Sequence, residues 1–519
     1  MTLEFGTNLK PDNAPLTHGA PTFQFQEYSL EEILMMGSVL LVLSVLSSRV
    51  SSRFGVPALL MFLGIGMLAG SEGPGGIYFD DYSLAFAVGS VCLALIIFDG
   101  GLRTSWNSVR PILPLAISLS FVGTVVTGVA TGIFAHYAFG LPWMQGMLLG
   151  AIVSSTDAAA VFGILRARAL TLKGSLKETL EFEAGSNDPI AVFLTVSVLT
   201  LLTSPEKGLV SIVGFFLMQT GLGLAAGWFG SRFIRWLIQR VAIEFEGLYG
   251  VLVLGLIIGL FALTSELGGS GFLAVYVAGL ALGHFDMLHK GSIGRFVDGI
   301  AWIAQILVFL TLGLLVFPSH LLPLWKEGVM LSVFMMVVAS PLSVWIASLG
   351  RGMQKNERFF VSWVGLRGAA PVILATLPWS VGVPNAEYYF NLVFFVVLLS
   401  VIAQGISIPW GAKKAGVTMP VADTPKGLSS DDFLPEGFTL VEILIKENGR
   451  RRVVDLGLPP GVLLTSLERN QRFTIPKGYT VLQAGDRVKA LARPSNLDAL
   501  EKILGEPHTP GQSPDPAPA

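Results

Sequence analysis

Residues 154–189 read SSTDAAAVFGILRARALTLKGSLKETLEFEAGSNDP, and two carboxylates in this stretch decide how the chain folds. Asp157 closes the polar run Ser154-Ser155-Thr156-Asp157 inside an apolar segment, and Asp188 lies 31 residues later inside the next one. Charges at bilayer depth are costly and rare, so two on adjacent passes make an ion or proton pathway the first expectation. Asp188 belongs to Glu183-Ala184-Gly185-Ser186-Asn187-Asp188-Pro189. Glu183 and Asn187 share a helix face, with Asp188 set about 100° round from Asn187. Pro189 has no N–H, which frees the Gly185 carbonyl beside the carboxylate. Oxygen ligands of this kind suit a hard monovalent cation.

Composition agrees with a membrane setting. Of 519 residues, 52% are hydrophobic and only 13% charged, against about 25% charged in ordinary soluble domains; the mean hydropathy is +0.66. A net charge of −2 implies neither nucleic acid nor an acidic substrate. The single cysteine, Cys92, lies in an apolar run and excludes an intrachain disulfide. The first 28 residues have no basic start followed by a compact apolar core, so they read as an exposed N-terminal tail rather than a signal peptide.

Counting segments of about 20 apolar residues gives thirteen expected passes. They begin near Ser29, Pro57, Leu84, Pro111, Pro142, Glu178, Leu209, Leu248, Gly269, Gly299, Pro323, Arg358 and Glu387. Alternate connections carry 18 lysines and arginines, and the opposite face only Lys10, Lys207 and Lys326. That asymmetry predicts an N-terminus outside and a cytoplasmic C-terminus.

Two passes look interrupted. The fifth carries Ser154 to Asp157, and the twelfth carries Gly365-Leu366-Arg367-Gly368-Ala369-Ala370-Pro371. An odd offset of seven makes them cross in opposite directions, as matching segments of inverted repeats do, and such interruptions point to a midplane site. Removal from water disfavours a carboxylate's charged form, so a site holding a proton or a cation, but not both, would couple two opposing gradients. Antiport by competition at Asp157 and Asp188 is the functional expectation.

Four motifs in order carry a family resemblance: Phe98-Asp99-Gly100-Gly101-Leu102, Ser154 to Phe162, Glu183-x3-Asn187-Asp188 and Gly365-Leu366-Arg367-Gly368. From about Ser29 to Trp410 the chain resembles the NhaP-type monovalent cation/proton antiporters, in particular the bacterial potassium/proton branch. The resemblance implies a thirteen-helix homodimer in which a core with crossed discontinuous helices moves against a scaffold, elevator fashion. It also implies that Asp157 and Asp188 bind the ion, with Thr156 helping, Asn187 supporting and Asp99 contacting the ion through water. Ser155, Glu183 and Arg367 are expected as supporting residues. Electroneutral exchange of one cation for one proton, in the inner membrane, is likewise implied. No enzyme activity and no cofactor are expected beyond the transported K+ or Na+.

The chain departs from that pattern twice. Ala184 stands where relatives usually have serine, so the ligand role could pass to Ser186, Ser155 or water. Ser340, in Ala339-Ser340-Pro341-Leu342, stands where an arginine usually pairs with the glutamate matching Glu183. Glu183 is then protonated, solvated by a cavity or compensated by Arg367, the first two being favoured. Arginine at 340 is accordingly expected to raise stability or move the pH optimum.

Other polar groups read as bystanders. Glu244, Glu246 and Glu266 sit near expected helix ends, and His284 and His289 in a connection lack clustered partners. Gly221-x-Gly223 lacks the context of a dinucleotide fingerprint. Neither a zinc-protease motif nor a nucleophile elbow is present.

After the membrane domain (29–414), a polar linker is expected over 415–435 and a small α+β cytoplasmic domain over 436–505. Strands are predicted at Phe438 to Ile445, Val453-Val454, Val462 to Leu467 and Arg487 to Ala492, then a helix from Ser495 to Leu504. This part resembles the TrkA-C/RCK-C regulatory domains, which implies a dimer clamp or a nucleotide ligand but not NAD. Residues 506–519 are expected to be disordered. A sodium/proton antiporter is the near alternative, and a gated cation channel a distant one, because no Thr-Val-Gly-Tyr-Gly filter occurs.

Overall fold

A computed structural model of the chain describes residues 29–54, 57–168, 170–204, 208–285, 289–420, 439–445, 451–469, 472–493, 496–504 and 507–508. The expected N-terminal tail, most of the linker and the last eleven residues of the expected tail lie outside them. The chain divides into two compact units, Met1–Met419 and Pro420–Ala519.

The first unit is helical: α1 Leu30–Phe54, α2 Ala58–Ala69, α3 Tyr82–Arg103, α4 Trp106–Phe139, α5 Trp143–Ile152, α6 Ala158–Ala167, α7 Leu176–Thr203, α8 Leu209–Arg240, α9 Gly247–Glu266, α10 Gly271–His284, α11 Lys290–Leu314, α12 Pro318–Ala347, α13 Lys355–Trp363, α14 Ala369–Trp379 and α15 Ala386–Lys414. Among the described residues nine helices are long and apolar enough to cross a membrane. Four shorter apolar helices accompany them: α2, α5, α10 and α14.

Helix starts mostly fall close to the hydropathy boundaries. The largest difference is α11, expected from Gly299 and beginning at Lys290. Its first turns carry Arg295 and Asp298, so the helix begins in polar sequence before the apolar stretch that hydropathy detects. Trp106 and Pro318 start α4 and α12 five residues early for the same reason, each with a short 3-10 turn containing Pro111 or Pro323.

The helices form two groups that touch mainly where α14 meets α3 and α7 meets α10. In one, α2, α3, α9, α10 and α11 pack together with α8 laid on α10; in the other, α4 to α7 pack with α12 to α15. Close approach in the first group needs glycine: Gly101 and Gly279 each leave room for the other helix's backbone, where a Cβ would collide. In the second group, α4 and α12 both contain a π-helical turn, Leu119–Gly123 and Met335–Ala339. Their Phe134 and Phe334 rings stack at 4.0 Å. A π turn in each of these two helices is what matching segments of an internal repeat would share, and such turns mark functional positions. A two-stranded sheet, β1 Leu170–Leu172 with β2 Thr418–Pro420, borders this unit, so the start of the expected linker is a strand.

The second unit is built on β3 Thr439–Leu444, β4 Arg451–Arg452, β5 Leu463–Arg469, β6 Arg472–Thr474, β7 Val481–Leu482, β8 Arg487–Ala492 and β9 Pro507–His508, with helix α16 Leu497–Leu504. Strands β6-β5-β8-β3-β9 form one sheet, in which each neighbouring pair is antiparallel, and β4-β7 a second. Val488, Ala490 and Ala492 alternate inward from β8 onto Ile443, Leu464 and Leu500. Two expectations are corrected. Val453-Val454 lies in a 3-10 turn rather than a strand. Pro507–His508 pairs with Glu442 and Ile443, so the expected disordered tail begins with a strand.

Candidate ion-binding site

The second group of helices is interrupted at two places. Between α5 and α6 the backbone is not helical at Val153 to Asp157, and between α13 and α14 it is not helical at Val364 to Gly368. The two breaks touch: the Asp157 N–H donates to the Leu366 carbonyl at 2.8 Å. Broken helices inside a membrane leave backbone groups that must find other partners. Here α15 supplies several. Ser400 Oγ accepts from the Arg367 N–H at 3.1 Å, and Gln404 Nε2 donates to the Trp363 carbonyl at 2.9 Å.

Arg367 is 2% exposed and completes the arrangement. Its Nη1 donates to the carbonyls of Ser154 at 3.1 Å and Ser155 at 2.8 Å, just past the end of α5, and its Nη2 to Ser340 Oγ at 3.3 Å. A cation at a helix C-terminus meets the negative end of the macrodipole. Arg367 therefore belongs to the break between α5 and α6 as much as to its own.

At the start of α6, Asp157 Oδ1 accepts from the Ala160 N–H at 3.3 Å. Thr156 Oγ1 donates to Glu183 at 2.9 Å and accepts from Asn187 Nδ2 at 2.7 Å. Asn187 Nδ2 also donates to Glu183 Oε1 at 3.0 Å. Glu183 thus has two hydrogen-bond donors and the Arg367 charge as a neighbour, and together these fill the place left by the missing partner at position 340. Ser340 itself is buried and faces Arg367.

Asp188 has Asp157 and Glu183 as charged neighbours and Ser155 within reach. Three oxygens are buried without a hydrogen-bond partner: Ser155 Oγ, Asn187 Oδ1 and Asp188 Oδ1. Orphaned acceptors at bilayer depth fit a desolvated alkali ion, which takes oxygen ligands. A narrow cleft with about 40 Å³ open to water centres is lined by Thr156, Asp157, Glu183, Ser340 and Arg367. One water needs roughly 10–15 Å³ by that measure, so a few fit. Ser155, Asn187 and Asp188 are not among its lining residues.

The structure thus gathers Ser155, Thr156, Asp157, Glu183, Asn187, Asp188 and Arg367 around one crossing. Asp99 is placed differently. Arg103 Nε donates to both its oxygens at 2.9 and 2.8 Å, and the same guanidinium reaches Asp298 of α11. The sequence reading missed Ser400 and Gln404. Their signal was available, two polar residues four apart in the otherwise apolar run 392–406 of α15. No group of three or more histidine, cysteine or acidic residues that could hold a metal ion occurs among the described residues.

Broken helices that meet, a pair of part-buried carboxylates and a water-sized cleft define a secondary cation/proton antiporter. Residues 38–414 match the transmembrane domain of sodium/hydrogen exchangers, and residues 440–505 match the TrkA-C domain. The chain belongs to the sodium/hydrogen exchanger family. It is 41% identical over 485 residues to the K(+)/H(+) antiporter NhaP2 of Shewanella sp. (strain ANA-3), covering 92% of this chain and 84% of that one. It is 36% identical over 477 residues to the K(+)/H(+) antiporter NhaP of Alkalimonas amylolytica, covering 91% and 83%. The fold matches that of the sodium proton antiporter MjNhaP1 from Methanocaldococcus jannaschii with a TM-score of 0.63 at 22% identity, over 75% of this chain and 100% of that one.

Proposed function

We propose that the chain exchanges K+ for H+ across the bacterial inner membrane, electroneutrally, by competition of the two ions for Asp157 and Asp188. The carrying observation is the group of unpartnered oxygens, Ser155 Oγ, Asn187 Oδ1 and Asp188 Oδ1, beside a cleft that Asp157 lines. Potassium as the cation rests on the two antiporters with which the chain shares 41% and 36% identity.

In the cycle, a cation entering the cleft replaces one proton held by the carboxylate pair, and one proton replaces the cation on the other side. Thr156 and Asn187 hold Glu183 by hydrogen bonds, so the carboxylates of the exchange site need not share its proton. Arg367 holds the two carbonyls at the break and keeps the crossing assembled. The helices around the crossing would slide against the first group, in a thirteen-pass homodimer with its N-terminus outside and the TrkA-C domain in the cytoplasm. Potassium and pH homeostasis would be its role, with a nucleotide as the ligand of the TrkA-C domain. Neither a cofactor nor enzyme chemistry has a place in this scheme. Sodium is the second reading, because the same oxygen donors accept either alkali ion.

The test is transport in proteoliposomes with imposed K+ or Na+ gradients, reading internal pH with and without a collapsed voltage. Saturable, voltage-independent exchange that prefers K+ is expected, and Asp157→Asn and Asp188→Asn should abolish it. Full exchange by Asp188→Asn would sink the competition scheme. Large voltage-driven currents would select a channel.

A further inference from the structure

A cavity of about 790 Å³ lies between one face of each group of helices, and its α7 wall includes Ser186 and Pro189, on either side of Asn187 and Asp188 in the chain. Phe121 of α4 and Phe193 of α7 form part of one wall, and Phe216 of α8 and Val277 of α10 part of the other. Its volume falls within the usual range for small-molecule sites, roughly 300–1,000 Å³. Along α7 the lining runs from Phe182 to Phe193. At 1.5 Å per residue that is roughly 16 Å, about half of the ~30 Å hydrocarbon core and so the depth of one leaflet.

One end of the cavity is unlike the rest. Trp228 of α8 and Phe285, just after α10, line it there on the face that carries the basic connections. Arg232 places its guanidinium 3.5 Å from the Trp228 ring centroid, and Arg235 lies 4.7 Å from that of Phe285. Among the described residues neither arginine forms an ion pair with a carboxylate. Two guanidinium groups without an ion pair among the described residues are thus stacked on two rings that line one end of an apolar slot one leaflet deep. Guanidinium binds phosphate through paired hydrogen bonds, and basic groups at the membrane surface attract anionic lipid.

We propose that this slot is a binding site for an anionic phospholipid of the surrounding bilayer, its phosphate on Arg232 and Arg235 and one acyl chain between α7 and α10. A lipid seated there binds this arrangement of the two helix groups better than one in which they have slid, and so shifts the population toward it. Bound lipid stabilises the protein and slows exchange. The effect on rate rests on the exchange function proposed above, whereas the binding itself does not.

The test uses the purified full chain in two assays, thermal unfolding in detergent with added phosphatidylglycerol or phosphatidylcholine, and exchange in phosphatidylcholine vesicles with or without phosphatidylglycerol. Phosphatidylglycerol should raise the wild-type unfolding midpoint by several degrees and lower the exchange rate several-fold, with phosphatidylcholine doing neither. The double variant Arg232→Gln/Arg235→Gln should lose both responses. Ala281→Phe, which obstructs the slot next to Phe285 and keeps both arginines, should lose them as well. Equal stabilisation by the two lipids, or a full response from either variant, overturns the proposal. Absence of exchange from every vesicle, with the selective thermal shift intact, would count against the exchange function and leave the lipid site standing.

Discussion

Asp157 occupies the space that a side chain at Gly368 would need. A Cβ at that glycine would lie 2.6 Å from Asp157 Cβ and would collide with Asp157 Oδ2. Gly368 has φ of −103°, so close approach, not backbone conformation, requires the glycine. Its place in the Gly-Leu-Arg-Gly motif thereby acquires a physical cause. The second break can receive the carboxylate of the first only if one residue there has no side chain.

Gly368→Ala should therefore displace Asp157 and disable exchange while the protein still folds. Overpacking of this kind costs about 1–3 kcal/mol. Flux in proteoliposomes should fall at least ~10-fold, equivalent to about 1.4 kcal/mol in the barrier, with a modestly lowered unfolding midpoint. Wild-type flux would show that Asp157 can move aside without consequence.

Arg367→Gln tests the fork on the Ser154 and Ser155 carbonyls. Each buried acceptor left without a donor costs about 1–3 kcal/mol, so a large loss of thermal stability is expected. Arg367→Lys keeps the charge but not the planar fork, and should recover only part of that loss. Full recovery by lysine in a thermal unfolding assay would assign the role to charge alone.

Much of this site was legible in the sequence because polar residues in apolar segments have few innocent explanations. The runs Ser154 to Asp157 and Gly365 to Gly368 are where the helices break, and helical spacing put Glu183 and Asn187 on one face, where a hydrogen bond joins them. Partners far apart in sequence were not legible. Nothing in the local pattern says that Thr156 would take the role left open at Ser340, or that Arg103 would claim Asp99. Hydropathy located Leu209 to the residue and missed Lys290 by nine, because it responds to apolar side chains and not to where backbone hydrogen bonding begins. In the second unit, β4, β6, β7 and β9 are two or three residues long and were invisible to alternation, which needs about four.

Ser340→Arg changes sign once the geometry is known. Sequence reasoning expected the new arginine to pair with Glu183 and either stabilise the protein or move its pH optimum. Ser340 Oγ instead accepts from Arg367 Nη2 in a buried position, so a second guanidinium arrives beside the first. The single variant should unfold at a lower temperature. Combining it with Arg367→Gln removes the repulsion, and the double-mutant cycle should give a coupling of about 0.5–3 kcal/mol. Additive losses would mean that residue 340 points away from Arg367 when enlarged.

In the TrkA-C domain, Asp486 is 1% exposed and accepts from Arg469 Nε at 2.7 Å and Nη2 at 2.6 Å, and from the Gln483 N–H at 2.8 Å. Burial opposes its ionisation, but the hydrogen bonds from Arg469 and Gln483 outweigh that, holding the carboxyl below its ordinary value. A carboxyl depressed in the folded state contributes stability that is in place above its unfolded value, about 3.9, and is lost as pH falls through the folded one. The pair joins β5 to the turn before β8, so acid should loosen those strands first. Hydrogen exchange on the full chain, corrected for intrinsic rates, should show protection of β5 and β8 falling as pH is lowered below about 4. In Asp486→Asn, which has no charge to lose, protection should start lower and that decline should flatten. An unchanged profile in the variant would assign the acid response to other groups.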